Sequence, residues 1–306
     1  MMADDKENLF EGSMVAMVTP FASNGTIDFG AMKDLIEYQL EGESNTLFFM
    51  GVAGEGSVLT DEEHISVIKQ TQALKPTGMN FVYGCTGKST EDTIAKVAVA
   101  AAHGADAAVI TVPSNIGPDQ EQTVQYFLDI AEHATIPLGV FNNPARLLTD
   151  IDVQSALRIF VHPKYIFHKE GSPRTGQIGL ILKENPPVTF LADDSPDQDI
   201  LVTSMALGAR GIASATGNIF PAEFASLAKP WSAETDISAF RDTYFRILPI
   251  IHYLYRFRSP IAIKGVMNAL GLPAGELRRP LTPLSDSEVD MGLKLVRESG
   301  FVISYR

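Results

Sequence analysis

Asn45-Thr-Leu-Phe-Phe-Met-Gly-Val-Ala-Gly-Glu55 is a nearly unbroken apolar run that ends in a loop with two glycines, and Thr60-Asp-Glu-Glu63 follows shortly after. The apolar part reads as a strand covered on both faces, because it lacks the polar alternation of a half-exposed strand. Thr60 and Glu63 have the spacing of a capping box, so a helix is expected from there to about Leu74. The stretch is one βα unit, and the chain around it repeats the same pattern.

Upstream, 13–18 is a first strand stopped by Thr19-Pro20; Asn24-Gly25 makes a turn, and Asp28 is placed to cap a helix through about Glu41. Downstream, strands are expected at 80–85, 107–112, 137–141, 165–169, 188–192 and 211–215. Helices are expected at 89–103, 119–133, 150–160 and 175–184, then up to 207 and over 221–228. About eight such units favour closure into a barrel over an open doubly wound sheet. No Gly-x-Gly-x-x-Gly follows the first strand, which speaks against a dinucleotide-binding sheet. From Trp231 the alternation stops, and 237–257, 260–270 and 285–300 read as three helices, with Pro249 expected to kink or split the first. The expected fold is α/β: a (β/α)8 TIM barrel over residues 1–230 with a C-terminal helical extension over 231–306. Ile247, Ile250, Ile251 and Leu254 form the apolar face expected to hold that extension.

The 306 residues suit such a barrel, and a net charge of -13 argues against nucleic acid or an anionic membrane as partner. A single cysteine, Cys85, excludes an internal disulfide and fits a reducing compartment. Residues 1–11 are polar and acidic without a signal-peptide core, and no run is apolar for long enough to span a bilayer. A cytoplasmic location is the expectation.

In a barrel of this kind, chemistry sits at the C-terminal ends of the strands. Tyr165-Ile-Phe-His-Lys-Glu-Gly-Ser-Pro173 places Lys169 there, the one lysine so placed; Lys264 falls on an expected helix and Lys229 follows one, so both read as solvated. Apolar surroundings disfavour an ammonium relative to the neutral amine, which can attack a carbonyl and form a Schiff base. The plainer alternative is a surface lysine at a strand end. Gly51-Val-Ala-Gly-Glu55 can bring backbone N–H groups close to a carboxylate, or be an ordinary βα turn. Arg146 offers a fork for a second carboxylate or a hydroxylated chain, with a surface salt bridge as its alternative. His168 faces the opposite side of the strand and reads as packing. Asp193-Asp194 can ligate metal or cap the next helix. No His/Cys/carboxylate cluster has metal spacing, and neither Ser57 nor Ser214 has a histidine pattern for a triad.

Val18-Thr-Pro-Phe21, Gly51-Val-Ala-Gly-Glu55, Phe141-Asn-Asn-Pro144, His168-Lys-Glu170, Gly211-Ile-Ala-Ser214 and Arg279-Pro-Leu-Thr-Pro-Leu284 occur in this order. In these marks, from about Phe10 to the C-terminus, the chain resembles the dihydrodipicolinate synthase / N-acetylneuraminate lyase family of class I, lysine-dependent aldolases. The resemblance implies an imine between Lys169 and pyruvate or another 2-oxo acid. It implies that the amides of Val52 and Ala53, beside Gly51, hold the substrate carboxylate. Ala213, through its carbonyl, and Ser214 would line the same pocket. The protonated imine is then the electron sink, so neither a metal nor an organic cofactor is expected. The expected assembly is a homotetramer, with Ile116 at a dimer contact.

Departures accompany the resemblance. The family usually carries tyrosine, as a proton relay, where this chain has Phe141, and Ser/Thr-Thr where it has Val52-Ala53. The synthases place aromatic residues where Ser114-Asn115 stands, whereas Arg146 matches the arginine they use on the aldehyde substrate's carboxylate. The reading is a Schiff-base lyase or dehydratase of a 2-oxo acid. The alternatives are a synthase with an altered relay and a non-catalytic 2-oxo-acid binder. With Phe141 unable to carry a proton, water, the substrate's own carboxylate, or a hydroxyl of Ser114, Ser214 or Thr111 is expected to do so.

Overall fold

Eight parallel strands close into a barrel in chain order, with the last hydrogen-bonded to the first. They are β1 Gly12–Ala16, β2 Thr46–Phe49, β3 Asn80–Gly84, β4 Ala107–Ile110, β5 Leu138–Asn142, β6 Tyr165–Glu170, β7 Thr189–Asp193 and β8 Gly211–Ser214. The computed structural model describes residues 9–114, 116–197, 199–303 and 305; Asn115 and the polar stretch 1–8 lie outside the described residues. The continuous apolar runs explain the arrangement. One face of each strand fills the barrel and the other meets a helix, so nearly every strand residue is buried.

The surrounding helices are α1 Phe29–Glu41, α2 Asp61–Leu74, α3 Thr90–Ala102, α4 Gln120–His133, α5 Pro144–Leu147, α6 Val153–Phe160, α7 Thr175–Lys183, α8 Leu201–Ala206 and α9 Pro221–Leu227. The sequence-predicted caps are made. Asp28 accepts from the Ala31 amide at 3.0 Å. Thr60 and Glu63 exchange both capping-box bonds, at 2.9 and 3.2 Å. Each such cap is worth about 1 kcal/mol. The segment after β5, expected as one helix over 150–160, begins earlier: the single turn α5 carries Arg146 onto the barrel rim before Leu148, in a left-handed conformation, breaks it from α6.

Three further helices, α10 Ile237–Tyr255, α11 Ile261–Ala269 and α12 Asp286–Ser299, form the C-terminal extension. Ile247, Ile250, Ile251 and Leu254 are all buried, on one face of α10. Pro249 does not split that helix. It lies on the exposed side, one turn after exposed Phe245, where water can satisfy the carbonyl that the missing N–H leaves free.

The solvated reading of Lys264 is corrected: the residue is 1% exposed. Its Nζ lies 2.6 Å from Glu55 Oε1 and donates to the carbonyls of Thr19 and Glu276, each at 2.7 Å. Helix α11 buries five of its residues, Lys264 among them, so the lysine there has no wet face to occupy. Arg278 extends the clasp: its amide donates to Glu55, and its guanidinium pairs with Glu63. The extension is thereby fastened to the β2–α2 loop at the strand ends.

Candidate active site

Register fixes what surrounds Lys169. Phe141 of β5 and Leu191 of β7 lie level with it on the neighbouring strands. Asp193, two residues beyond Leu191, points to the same side one layer nearer the rim. Lys169 Nζ is accordingly 2.9 Å from Asp193 Oδ2 and 4.5 Å from the centroid of the Phe141 ring. All three side chains are buried. Asp193 Oδ1 accepts from the Ser195 amide at 2.9 Å. Burial pushes the Asp193 carboxyl above its usual range; the Asp194 charge adds to this, while Lys169 and the Ser195 amide oppose it.

Asp194 is held by the turn after β8. It accepts from Ser214 Oγ at 2.6 Å and from the amides of Ala215 and Thr216 at 3.2 and 3.1 Å. Its remaining bond comes from Tyr255, the last residue of α10, whose hydroxyl donates to Asp194 Oδ1. Burial raises the Tyr255 phenol well above its usual value; the Asp194 and Asp193 charges act in the same direction, and Arg146 acts against them.

These groups border a cavity in two connected chambers. The inner one, about 320 Å³, contains Lys169, Asp193, Tyr255 and Ala53 in its wall. The outer one, about 490 Å³, reaches past Gly51, Thr86, Thr111 and Ser114 to Arg278. Phe48, Val52, Phe141, Asn143, Arg146 and Arg258 line both.

The glycine loop after β2 forms the side facing Lys169's chamber. Its internal bonds run from the Glu55 amide to Val52 O at 3.1 Å and from the Gly56 amide to Gly51 O at 3.2 Å. Among the described residues the amides of Val52 and Ala53 have no protein acceptor. The loop is packed closely: a Cβ on Gly56 would stand 2.1 Å from the Met50 carbonyl oxygen, and Thr19 Oγ1 donates to Gly54 O at 2.7 Å.

Arg146 is half-buried. Burial, and then the nearby charge of Arg258, lowers its pKa, with Tyr255 and Asp193 opposing. Among the described residues neither Arg146 nor Arg258 pairs with a carboxylate. Two guanidinium groups thus face the cavity, one from the barrel and one from the segment after α10.

Gly51, Val52, Ala53, Phe141, Arg146 and Lys169 come together at the cavity. Ala213 and Ser214 do not line it; Ala215 does, and the Ser214 hydroxyl lies between Asp194 and the Gly217 amide. Thr111 and Ser114 border only the outer chamber. His168 is 3.1 Å from Glu170 and sits between the rings of Phe160 and Phe190. Asp193 and Asp194 neither cap α8 nor join a metal cluster: among the described residues no three His, Cys, Asp or Glu side chains are grouped to hold a metal.

Sequence reasoning named Asp193 only as a metal ligand or helix cap, and it missed Tyr255 and Arg258. Asp193 was accessible to it, since period-two counting from the level of Lys169 turns it inward once β6 and β7 are taken as neighbours. Tyr255 and Arg258 were not, because no local pattern tells which end of α10 returns to the barrel mouth.

The dihydrodipicolinate synthetase family model matches residues 9–298. The chain is 32% identical to a 4-hydroxy-tetrahydrodipicolinate synthase of Hydrogenobaculum sp., covering 89% of this chain and 93% of that protein. It is 31% identical to the enzyme of the same name from Exiguobacterium sibiricum, covering 91% and 94%. The crystal structure of dihydrodipicolinate synthase from Aquifex aeolicus superposes with a TM-score of 0.89 at 28% identity, covering 95% of this chain and 98% of that one.

Proposed function

The chain belongs to the dihydrodipicolinate synthetase family of lyases, and from that premise we propose that Lys169 forms a Schiff base with pyruvate or another 2-oxo acid. The observation that carries this reading is the setting of Lys169: buried, on a chamber wall, with a single carboxylate partner at 2.9 Å. Asp193 takes a proton from the ammonium, and the freed amine attacks the ketone carbon. The amides of Val52 and Ala53, which lack protein acceptors among the described residues, receive the 1-carboxylate. Once protonated, the imine draws electrons from C3, and the enamine adds to an electrophile or expels a group from C4. The lysine imine supplies the electron sink, so the proposed reaction runs without metal or organic cofactor.

A second reading, 4-hydroxy-tetrahydrodipicolinate synthesis, is favoured by the names of the two relatives and by the paired guanidiniums of Arg146 and Arg258, which suit an electrophile with its own carboxylate. Turnover of pyruvate with aspartate semialdehyde, compared with a panel of 2-keto-3-deoxy acids, separates the two, and turnover of neither would leave a binder. Borohydride added with pyruvate tests the shared premise: one pyruvate-derived mass is expected on the peptide holding Lys169. A label on Lys264 or Lys229 instead would sink the assignment. We further propose a cytoplasmic homotetramer, supported by the exposed Ile116 at 64%; a monomer mass by light scattering would refute the assembly.

A further inference from the structure

We infer that Tyr255, delivered by the C-terminal extension, is the proton donor to the substrate oxygen during imine formation at Lys169. The inference rests on the proposed role of Lys169 and adds a second catalytic residue to it.

Imine formation moves two protons from nitrogen to oxygen, so a donor must face the ketone oxygen. Most of the inner chamber cannot provide one. Its walls on the β1 and β2 sides are Ala16, Phe48, Val52 and Ala53, and the β5 side presents Phe141, Asn143, Ala145 and Arg146, none of which is a neutral hydroxyl acid. The hydroxyls of Ser214, Thr111 and Ser114 lie outside it. Ser195 and Ser259 border it, but an alkyl hydroxyl is a weaker acid than a phenol. Tyr255 is the one phenol in that wall among the described residues. Its hydroxyl donates to Asp194, and the residue before Asp194 in the chain, Asp193, holds the lysine at 2.9 Å. The charged groups facing Tyr255 are Asp193 at the end of β7, Asp194 and Asp197 after it, Lys169 from β6, Arg146 from α5, and Arg256 and Arg258 after α10. Burial and the two aspartates keep the phenol protonated at neutral pH. A fully protonated weak acid is the suitable partner for an alkoxide, which is strongly basic when it forms.

The steps balance. The Lys169 ammonium gives a proton to Asp193, and the amine's lone pair bonds the ketone carbon while its oxygen takes the Tyr255 proton. The phenolate recovers a proton from the new N–C nitrogen. Tyr255 then protonates the carbinolamine hydroxyl; the C–O bond breaks, water leaves, and the nitrogen pair closes the C=N bond. Asp193 returns its proton to the phenolate. Ammonium plus ketone has become protonated imine plus water, with both side chains restored.

The test measures how fast pyruvate is trapped on Lys169 by borohydride in the intact protein. In Tyr255→Phe the trapping rate should fall a hundredfold or more, while the extent reached at long times stays near that of wild type. Adding Phe141→Tyr to Tyr255→Phe should recover part of the rate, because that ring already lies against Lys169 Nζ. Placing a fluorinated tyrosine at 255 keeps the shape and acidifies the phenol, so the alkaline limb of the rate profile should move to lower pH. A Tyr255→Phe rate within twofold of wild type, or an unmoved alkaline limb with the fluorinated residue, overturns the inference. Should Tyr255→Phe fail to fold, the fluorinated protein decides. Absence of any pyruvate adduct in wild type would instead remove the proposed role of Lys169.

Discussion

Lys169 and Lys264 are both buried, and each has a carboxylate within 3 Å, yet they are built for opposite ends. Lys264 donates to Thr19 O and Glu276 O and lies 2.6 Å from Glu55 Oε1, and neither chamber reaches it. Lys169 has one carboxylate and the face of Phe141, and otherwise meets a chamber. An ammonium held by two carbonyls and an ion pair is a rivet, because deprotonating it weakens all three interactions. One with a single acceptor beside open space can give up a proton and use the lone pair. The contrast teaches that burial alone does not mark a nucleophile; unspent valence beside a cavity does.

The largest expected effect breaks the comparison on the catalytic side. Lys169→Ala should lose nearly all turnover, since no other group on the chamber wall forms an imine, while the melting temperature moves by only a few degrees. Steady-state rates and thermal melts of the purified variant check this. Turnover near the wild-type level would place the chemistry elsewhere.

Next comes the rivet. Lys264→Met leaves Glu55 buried without its cation and should destabilise the fold by about 3–5 kcal/mol, read from denaturant unfolding. Changing both partners, Lys264→Met with Glu55→Gln, should recover much of that loss, because no buried charge is then left unpaired. If the single variant were as stable as wild type, the clasp would be an accident of packing. Imine trapping at low temperature should persist in the double variant, which would be impossible if Lys264 were the nucleophile.

How far these two lysines were legible in the sequence differs for a physical reason. Apolar strands, capping boxes and Asp28 are local signals, and they led directly to the barrel and to Lys169 at a strand end. The burial of Lys264 was also readable in principle: Ile261-Ala-Ile-Lys-Gly-Val-Met267 is apolar around most of its circumference, so its lysine had to be inside. Asp193 needed strand register as well as alternation. Tyr255 and Arg258 needed the docking of α10, which depends on tertiary packing more than 80 residues away in sequence from Lys169.

A smaller effect sharpens the contrast at the cavity mouth. Arg258→Ala removes one of two unpaired guanidiniums. It should raise the KM of a substrate with a second carboxylate by about ten- to a hundredfold, the worth of a charge-assisted hydrogen bond. Pyruvate trapping should be unaltered within about twofold. Equal losses for both substrates would mean that Arg258 acts on the 1-carboxylate or on the loop, rather than on the distal end.

The smallest effect concerns Thr19, the residue that belongs to both regions. Its carbonyl accepts from Lys264, and its hydroxyl donates to Gly54 O in the loop whose Val52 and Ala53 line the inner chamber. Thr19→Val keeps the volume and the carbonyl, so the rivet remains, but the Gly54 carbonyl loses the Thr19 hydroxyl. The expected cost is about 1 kcal/mol in stability, well below that of Lys264→Met. If the loop's position depends on this bond, the KM for pyruvate should rise a few-fold with little change in the rate at saturation, because the amides of Val52 and Ala53 bind ground state and transition state alike. If stability falls but the KM stays fixed, the loop is set by Gly56 packed on Met50, and the two lysine regions are mechanically independent.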